Sequence, residues 1–174
     1  KIALKDDWNT ASLLLAKLQK ARLAGIDVTA DVYPYDFWSS TLKVLFPKTD
    51  YTNLASARYA VEHTFDPTAS VLVTYAPVPE YAGKTISEIA ANRKEETAKT
   101  LIWLIATADE FSNKNPGVDD VETIMGKSMT DDDVIPFLAW GHTNICSDGA
   151  NGGHPRGYGS FTRVLNYYVN QKKI

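Results

Sequence analysis

Residues 26–34 read Ile-Asp-Val-Thr-Ala-Asp-Val-Tyr-Pro, and this stretch decides the fold class. A run of β-branched and mostly apolar residues ended by a proline is typical of a buried strand. Just before it, residues 11–24 carry leucine and alanine at helical spacing, and Gly25 fits the stop of a helix. A helix joined by a short loop to a buried strand predicts an α/β fold. In such folds the carboxyl ends of the strands carry the chemistry, so we expect functional side chains from Tyr33 onward.

The composition describes one ordinary domain with a real core, because 44% of the 174 residues are apolar and 22% are charged. Eighteen Lys and Arg against 21 Asp and Glu give a net charge of −3, which argues against a nucleic-acid partner. No apolar run approaches the ~18–20 residues that span a bilayer, so we expect no membrane partner. The lone Cys146 excludes an internal disulfide and a CxxC pair. It is compatible with the cytoplasm, which is slightly favoured, but any signal peptide would lie upstream of Lys1.

The middle of the chain, residues 43–128, differs in character from both ends. Prolines flank a strand-like run at 70–75, a helix begins near Ser87, and a second helix covers 95–108. Residues 109–126 have the composition of a loop. We interpret this middle part as an inserted α+β subdomain.

Residues 129–174 return to the alternation of helix and strand. We expect a helix at 130–139 with a start that resembles a capping box, a short buried strand at 143–147 and a closing helix at 161–169. The predicted division is residues 1–42, residues 43–128 and residues 129–174.

The strongest candidate site follows the last predicted strand, where Ser147-Asp148-Gly149 precedes His154-Pro155-Arg156. An aspartate placed directly after a buried strand can bind a metal and take a proton from a metal-bound water. An arginine can hold a substrate carboxylate with two hydrogen bonds. An Asp-Gly turn and a surface arginine explain the same residues equally well.

A second candidate site follows the first strand, in the run from Asp31 to Tyr35 and the hydroxyl cluster Ser39-Ser40-Thr41. Two tyrosines and the hydroxyl groups supply neutral hydrogen bonds for a polar substrate. Tyrosines that flank a proline are more often packing residues, and taken alone the motif favours that interpretation.

These motifs together resemble the N-acyl-D-amino-acid deacylase (D-aminoacylase) family of the amidohydrolase superfamily. The matching stretches are residues 31–41 (DVYPYDFWSST), residues 83–90 (GKTISEIA), residues 147–149 (SDG) and residues 154–165 (HPRGYGSFTRVL). The resemblance implies a partial (β/α) barrel of the metal-dependent hydrolase type, about its last three strands, with an inserted α+β subdomain. An eight-stranded barrel needs about 250 residues, so the chain is expected to be the carboxy-terminal portion of a longer enzyme.

The resemblance also implies a role for each candidate residue. Asp148 matches a metal-site residue that serves as general base, and Arg156 matches the arginine that binds the substrate carboxylate. Tyr33 and Ser39 match positions that contact the substrate. Lys1 looks like the lysine of a His-x-Lys motif whose histidine would lie two residues before this chain.

The chain departs from the family in its metal ligands. The superfamily uses an early His-x-His, a later cysteine or modified lysine and two further histidines, whereas this chain has His63, His142 and His154, and Cys146 matches no bridging ligand. The resemblance implies zinc as the cofactor. Because this chain lacks those histidines, most of the zinc ligands are expected to lie outside it. His154 is instead expected to be a loop residue that orients Arg156.

The implied reaction is hydrolysis of the amide bond of an N-acyl-D-amino acid, and the isolated chain is expected to be inactive. Its partners would be a small-molecule N-acyl amino acid and either the remainder of the barrel or a second copy of the fragment.

Two alternative functions stay open. One is a cyclic-amide hydrolase of the dihydroorotase or hydantoinase kind, although Arg156 and the Tyr33 motif favour the deacylase. The other is a non-catalytic binding module that uses some of the four Trp and nine Tyr as stacking platforms. Most of the tryptophans lie on or beside predicted helices, so core packing explains them more simply.

Overall fold

A computed structural model of the chain describes residues 4–127, 129–149 and 154–174. These residues form six α-helices and five β-strands. The helices are α1 (Ala11–Leu23), α2 (Leu54–Tyr59), α3 (Ile86–Arg93), α4 (Thr97–Lys114), α5 (Asp131–Ala139) and α6 (Arg156–Arg163). The strands are β1 (Ala30–Val32), β2 (Phe37–Ser40), β3 (Val71–Tyr75), β4 (Glu122–Lys127) and β5 (Thr143–Ile145).

The chain divides into two compact units. The first unit comprises residues 7–36, 129–149 and 154–174, and the second comprises residues 4–6 and 37–127. Each unit has its own sheet. In the first, β1 pairs in parallel with β5, and in the second, β4 lies between β2 and β3 with antiparallel pairing on both sides.

Helix α5 is the centre of the first unit, because it packs against α1 and against both strands of the parallel pair. Its buried residues Val134 and Phe137 face that core, and Asp133 is buried beside them. The Asp133 carboxylate accepts hydrogen bonds from the backbone N–H of Ala11 at 3.3 Å and from the Thr130 hydroxyl at 2.8 Å. The expected capping box is therefore wrong in its geometry: the Thr130 hydroxyl donates to a side chain and caps no backbone group.

The end of the chain is fixed to α5 by a polar network. Helix α6 continues into a π-helical segment, Val164–Lys172, in which Tyr168 is fully buried. Asp131, the first residue of α5, accepts a hydrogen bond from the Tyr168 hydroxyl at 3.3 Å and lies 2.8 Å from the Lys172 ammonium. This arrangement places acidic charge in the first turn of α5, where the helix dipole stabilises it.

In the second unit, the core lies between the antiparallel sheet and the long helix α4, which also packs against α2 and α3. Leu72 of β3, Ile124 of β4 and Leu104 of α4 are fully buried. The Tyr75 hydroxyl donates to the Leu104 carbonyl at 2.9 Å, so its polar end is satisfied inside this core. Gly126 of β4 has no side chain because a Cβ there would lie 2.5 Å from the Trp38 ring.

The fold is mixed α/β, as expected, and the helices predicted at 11–24, near Ser87 and at 130–139 are confirmed. The strands β1 and β5 are shorter than expected, and the exposed side chains of Asn144 and Ile145 contradict a fully buried last strand. A barrel segment of three strands is not confirmed, because the parallel sheet has two strands in the part of the chain that the structure describes.

The loop predicted at 109–126 is confirmed for residues 115–121 and wrong at both ends, because α4 runs to Lys114 and β4 begins at Glu122. The antiparallel pairing of β4 with β2 and β3, distant in sequence, outweighs its weak local strand signal. None of the described helices combines the length and the apolar character needed to span a membrane.

Candidate active site

The candidate site forms where the two parallel strands end. The backbone N–H of Cys146 donates to the Val32 carbonyl at 3.0 Å, which continues the pairing of β1 and β5 by one step. The residues that follow, Tyr33 after β1 and Asp148 after β5, therefore emerge at the same edge of the sheet. Parallel pairing thus unites the two motifs that the sequence keeps more than 100 positions apart.

Asp148 and Arg156 form an ion pair across this edge. The Arg156 guanidinium lies 3.0 Å from the Asp148 carboxylate, and their side chains are 11% and 61% exposed, respectively. The carboxylate therefore faces solvent on one side while the arginine is mostly enclosed. Asp148 has a φ of 45°, in the left-handed region where aspartate is one of the better-tolerated residues.

The turn that carries Asp148 packs tightly on the start of α6. The Gly149 backbone N–H donates to the Ser147 hydroxyl at 3.2 Å, which closes the turn. A Cβ at Gly149 would lie 2.6 Å from the Cα of Gly157, so two glycines allow the turn and the helix to approach each other. This close approach brings Asp148 within reach of Arg156.

Tyr33 completes the cluster. The Arg156 guanidinium stands over the Tyr33 ring, 4.8 Å from its centroid, at a distance that permits a cation–π interaction. Burial, aided by the charge of Asp148, raises the pKa of the Tyr33 phenol, although Arg156 acts in the opposite direction. The phenol therefore stays protonated at neutral pH and can donate a hydrogen bond.

A second arginine, Arg163, contacts the Tyr-Pro-Tyr motif at residues 33–35. Arg163 donates from Nε to the Pro34 carbonyl at 2.7 Å, and its guanidinium lies 4.9 Å from the Tyr35 ring centroid and 4.4 Å from that of Tyr167. The sequence analysis missed this role of Arg163. Its position seven residues after Arg156, two turns along the same helix, was the available signal.

Two further residues, Ser39 and Lys1, were predicted to belong to the site. Ser39 lies on β2 in the second unit, opposite Met125 of β4. Lys1 lies outside the described residues. The structure therefore unites three of the five candidates, Tyr33, Asp148 and Arg156.

The described residues do not make a metal centre on their own. Within residues 4–127, 129–149 and 154–174, no three His, Cys, Asp or Glu side chains come close enough to hold a metal ion together. Asp148 offers one carboxylate with an open face, which fits a single ligand of a zinc ion that needs about four.

An apolar cavity of about 330 Å³ lies beside β1 in the first unit. Its walls include Leu14 and Leu18 of α1 and Val134 and Phe137 of α5, and it extends along the strand to Tyr33. Its lining is mostly hydrocarbon, so it suits an apolar group and offers few polar contacts.

Comparison with known proteins places these features in a family context. No family model matches the chain. An N-acyl-D-glutamate deacylase from Alcaligenes xylosoxydans xylosoxydans is 26% identical over 178 aligned positions, covering 100% of this chain and 30% of that protein. A D-aminoacylase from the same organism is 29% identical over 155 positions, covering 87% of this chain and 25% of that protein.

Solved structures give the same match. The N-acyl-D-glutamate deacylase of Bordetella bronchiseptica, solved with zinc and a phosphonate that mimics the tetrahedral intermediate, superposes with a TM-score of 0.65 at 26% identity. The match covers 95% of this chain and 29% of that one. A D-aminoacylase with a binuclear metal centre superposes with a TM-score of 0.61 at 27% identity, covering 94% of this chain and 28% of that one.

These matches confirm the predicted similarity to N-acyl-D-amino-acid deacylases, in sequence and in fold. The chain spans about 30% of the length of the first curated relative and 25% of the second.

Proposed function

We propose that this chain is the carboxy-terminal portion of a zinc-dependent amidohydrolase that cleaves the amide bond of N-acyl-D-amino acids. The observation that carries the proposal is the cluster of Asp148, Arg156 and Tyr33 at the ends of two parallel strands. The match of the whole chain to an N-acyl-D-glutamate deacylase supports it.

Arg156 binds the α-carboxylate of the substrate. Its guanidinium is mostly enclosed, it is oriented by the Tyr33 ring, and its present partner is a carboxylate, Asp148. A site that already holds one carboxylate in a charged hydrogen bond has the geometry to hold another. The Tyr33 phenol, kept protonated by burial, is available as a further donor to the substrate.

Asp148 acts as the general base. Its exposed carboxylate accepts a proton from the attacking water and later passes that proton to the leaving amine. Zinc, when bound, polarises the amide carbonyl and lowers the pKa of water. Asp148 is the ligand that this cluster would supply, so the other ligands would come from outside the chain.

The proposal also gives a role to the other predicted residues and segments. Ser39 and Lys1 assist in holding the substrate. The parallel pair β1–β5 with α1, α5 and α6 belongs to the last part of a (β/α) barrel, and residues 43–128 form the insertion. The remainder of that barrel is the partner of this chain, and the isolated chain is inactive.

Asp148→Asn tests the assignment in the full-length, zinc-loaded protein. We expect the variant to bind zinc and to lose at least about 100-fold in kcat for an N-acyl-D-amino acid, because the amide of asparagine accepts no proton. The matched control is Asp27→Asn, which removes an exposed carboxylate paired with Arg22 and should leave kcat unchanged. Full activity in Asp148→Asn with zinc retained would reject the role of Asp148.

A further inference from the structure

The side chain of His154 is one of six buried polar or charged groups among the described residues, and it contacts Tyr33, Tyr35 and Arg156. It is 4% exposed. We propose that His154 is a positioning residue that fixes Arg156 for the carboxylate of the substrate, through a hydrogen bond from the Arg156 backbone N–H to the His154 Nδ1. This inference rests on the proposed function, in which Arg156 binds that carboxylate.

The hydrogen bond from Arg156 to His154 caps the start of α6, where a Ser, Thr, Asp or Asn side chain is the usual acceptor. Arg156 is the first residue of α6, and the backbone N–H groups of the first turn have no partner inside the helix. The preceding residue is Pro155, whose side chain has no acceptor, so the usual Ser, Thr, Asp or Asn cap is missing. His154 supplies the acceptor in its place, with Nδ1 at 3.0 Å from the Arg156 nitrogen.

This hydrogen bond also fixes the protonation of the ring. A backbone N–H can only donate, so Nδ1 must accept and carries no proton, which leaves the neutral ring protonated at Nε2.

The ring is held by the two tyrosines of the first strand motif. Its centroid lies 5.1 Å from that of Tyr35 at an interplanar angle of 87°, and 6.3 Å from that of Tyr33 at 73°. Edge-to-face contacts of this kind are the favoured geometry for aromatic pairs. The His154 ring therefore acts on Arg156 in two ways. It contacts Tyr33, whose ring lies under the Arg156 guanidinium, and it accepts a hydrogen bond from the Arg156 backbone.

Two isosteric substitutions separate the hydrogen bond from the rest of the side chain. In His154→Asn, the amide oxygen takes the position of Nδ1 and retains the acceptor, whereas in His154→Gln the amide group takes the position of Nε2 and the acceptor at Nδ1 is lost. In the full-length, zinc-loaded protein we expect His154→Gln to raise KM for an N-acyl-D-amino acid by about tenfold with kcat within about threefold. His154→Asn should keep KM within about threefold of wild type.

A substrate without the carboxylate distinguishes positioning from a general structural role. For the matching N-acyl-D-amino-acid amide, which has no charge for Arg156 to bind, wild type and His154→Gln should have the same KM. An equal loss on both substrates, or an equal loss in the Asn and Gln variants, would overturn the positioning role.

A measurement without turnover keeps this inference separate from the proposed function. In ¹H–¹⁵N NMR spectra, the Arg156 amide proton of wild type and of His154→Asn should be shifted downfield by its hydrogen bond, and that shift should be lost in His154→Gln. A wild-type protein that shows this pattern but hydrolyses no N-acyl-D-amino acid rejects the proposed function alone. An Arg156 amide that is insensitive to His154→Gln rejects the hydrogen bond and with it the inference.

Discussion

At the scale of single residues, the surroundings of Arg156 explain why an arginine and no other cation stands there. Its planar guanidinium lies over the Tyr33 ring and donates to a carboxylate at the same time. A lysine keeps the charge but can neither stack on a ring face nor offer two parallel donors. The residue is therefore suited to hold a planar carboxylate in one orientation.

Arg156→Lys is accordingly expected to be a damaging substitution. We predict that it raises KM for an N-acyl-D-amino acid by about tenfold or more in the full-length protein, with a smaller effect on kcat, because substrate orientation is lost while the charge remains. Steady-state kinetics measures the effect. Arg22→Lys, at an arginine paired with the exposed Asp27, is the control and should leave KM unchanged.

The same residues show how far sequence reasoning reaches. Tyr33 and Asp148 could be named because they are polar residues that follow predicted strands, and Arg156 because it belongs to the nearby His-Pro-Arg motif. Their contact could only be inferred from the resemblance, since parallel pairing joins segments that are distant in the sequence. The position of Ser39 on β2 could not be predicted, because the short strand Phe37–Ser40 has pairing partners 84 to 90 positions away.

At the scale of elements, local signals decide the helices. Helix α3 begins with a complete capping box, in which the Thr85 hydroxyl accepts from the Glu88 N–H at 3.1 Å and the Glu88 carboxylate accepts from the Thr85 N–H at 2.7 Å. Helix α1 ends at Leu23, two residues before Gly25, whose φ of 86° lies in the left-handed region. Such signals lie within a few residues of each other, which explains why these helices could be predicted.

Thr85→Ala tests the contribution of that capping box. We expect the free energy of unfolding to fall by about 1 kcal/mol, because the N–H of Glu88 loses its acceptor at the start of the helix. Urea denaturation followed by circular dichroism measures the change. Thr97→Ala removes a comparable, partly buried threonine from the start of α4, where no side-chain cap forms, and should have almost no effect. Equal losses in the two variants would contradict the account of the cap.

The strands obey a different rule. Strand β4 carries Glu122, Gly126 and Lys127, residue types that are depleted in strands, yet it is the central strand of its sheet. Its position follows from antiparallel partners on both sides and from Trp38, which fills the space above Gly126. The sequence pattern predicted a loop in the region of β4 because pairing with β2 and β3, and not local propensity, determines this strand.

At the scale of the whole molecule, one half-buried acid, Glu122, links stability to pH. Both carboxylate oxygens of Glu122 accept from the backbone N–H of Leu42, at 2.9 and 3.1 Å, at the start of a 3₁₀ turn. Burial raises the pKa of Glu122 to about 7, although that hydrogen bond and Lys43 act in the opposite direction. The folded protein therefore binds this proton more tightly than the unfolded chain does.

The sign of the pH dependence follows from linkage. Between about pH 4.5 and pH 7 the folded state holds more protons than the unfolded state, so the contribution of Glu122 to stability falls as the pH rises through this range. The total change is at most about 3 kcal/mol. Glutamine keeps an acceptor for Leu42 without a charge, so Glu122→Gln should remove this part of the pH dependence.

Urea denaturation of wild type and Glu122→Gln at pH 5 and pH 7.5 measures the contribution of Glu122 to the pH dependence of stability. We expect the variant to gain stability relative to wild type as the pH is raised. Glu110→Gln, at an exposed glutamate paired with Lys114, is the control and should follow the wild-type curve. A stability difference between Glu122→Gln and wild type that does not change with pH would contradict the raised pKa.

The central claim concerns the reaction, and stereoselective hydrolysis tests it most directly. The measurement is the release of free amino acid from paired N-acetyl-D- and N-acetyl-L-amino acids by the full-length, zinc-loaded protein that contains this chain. We predict hydrolysis of D-substrates, with the L-counterparts cleaved far more slowly, because in the proposed function Arg156 holds the substrate carboxylate beside Asp148, the proposed general base 3.0 Å away. A zinc-loaded protein that hydrolyses neither isomer, or both equally fast, would contradict the assignment.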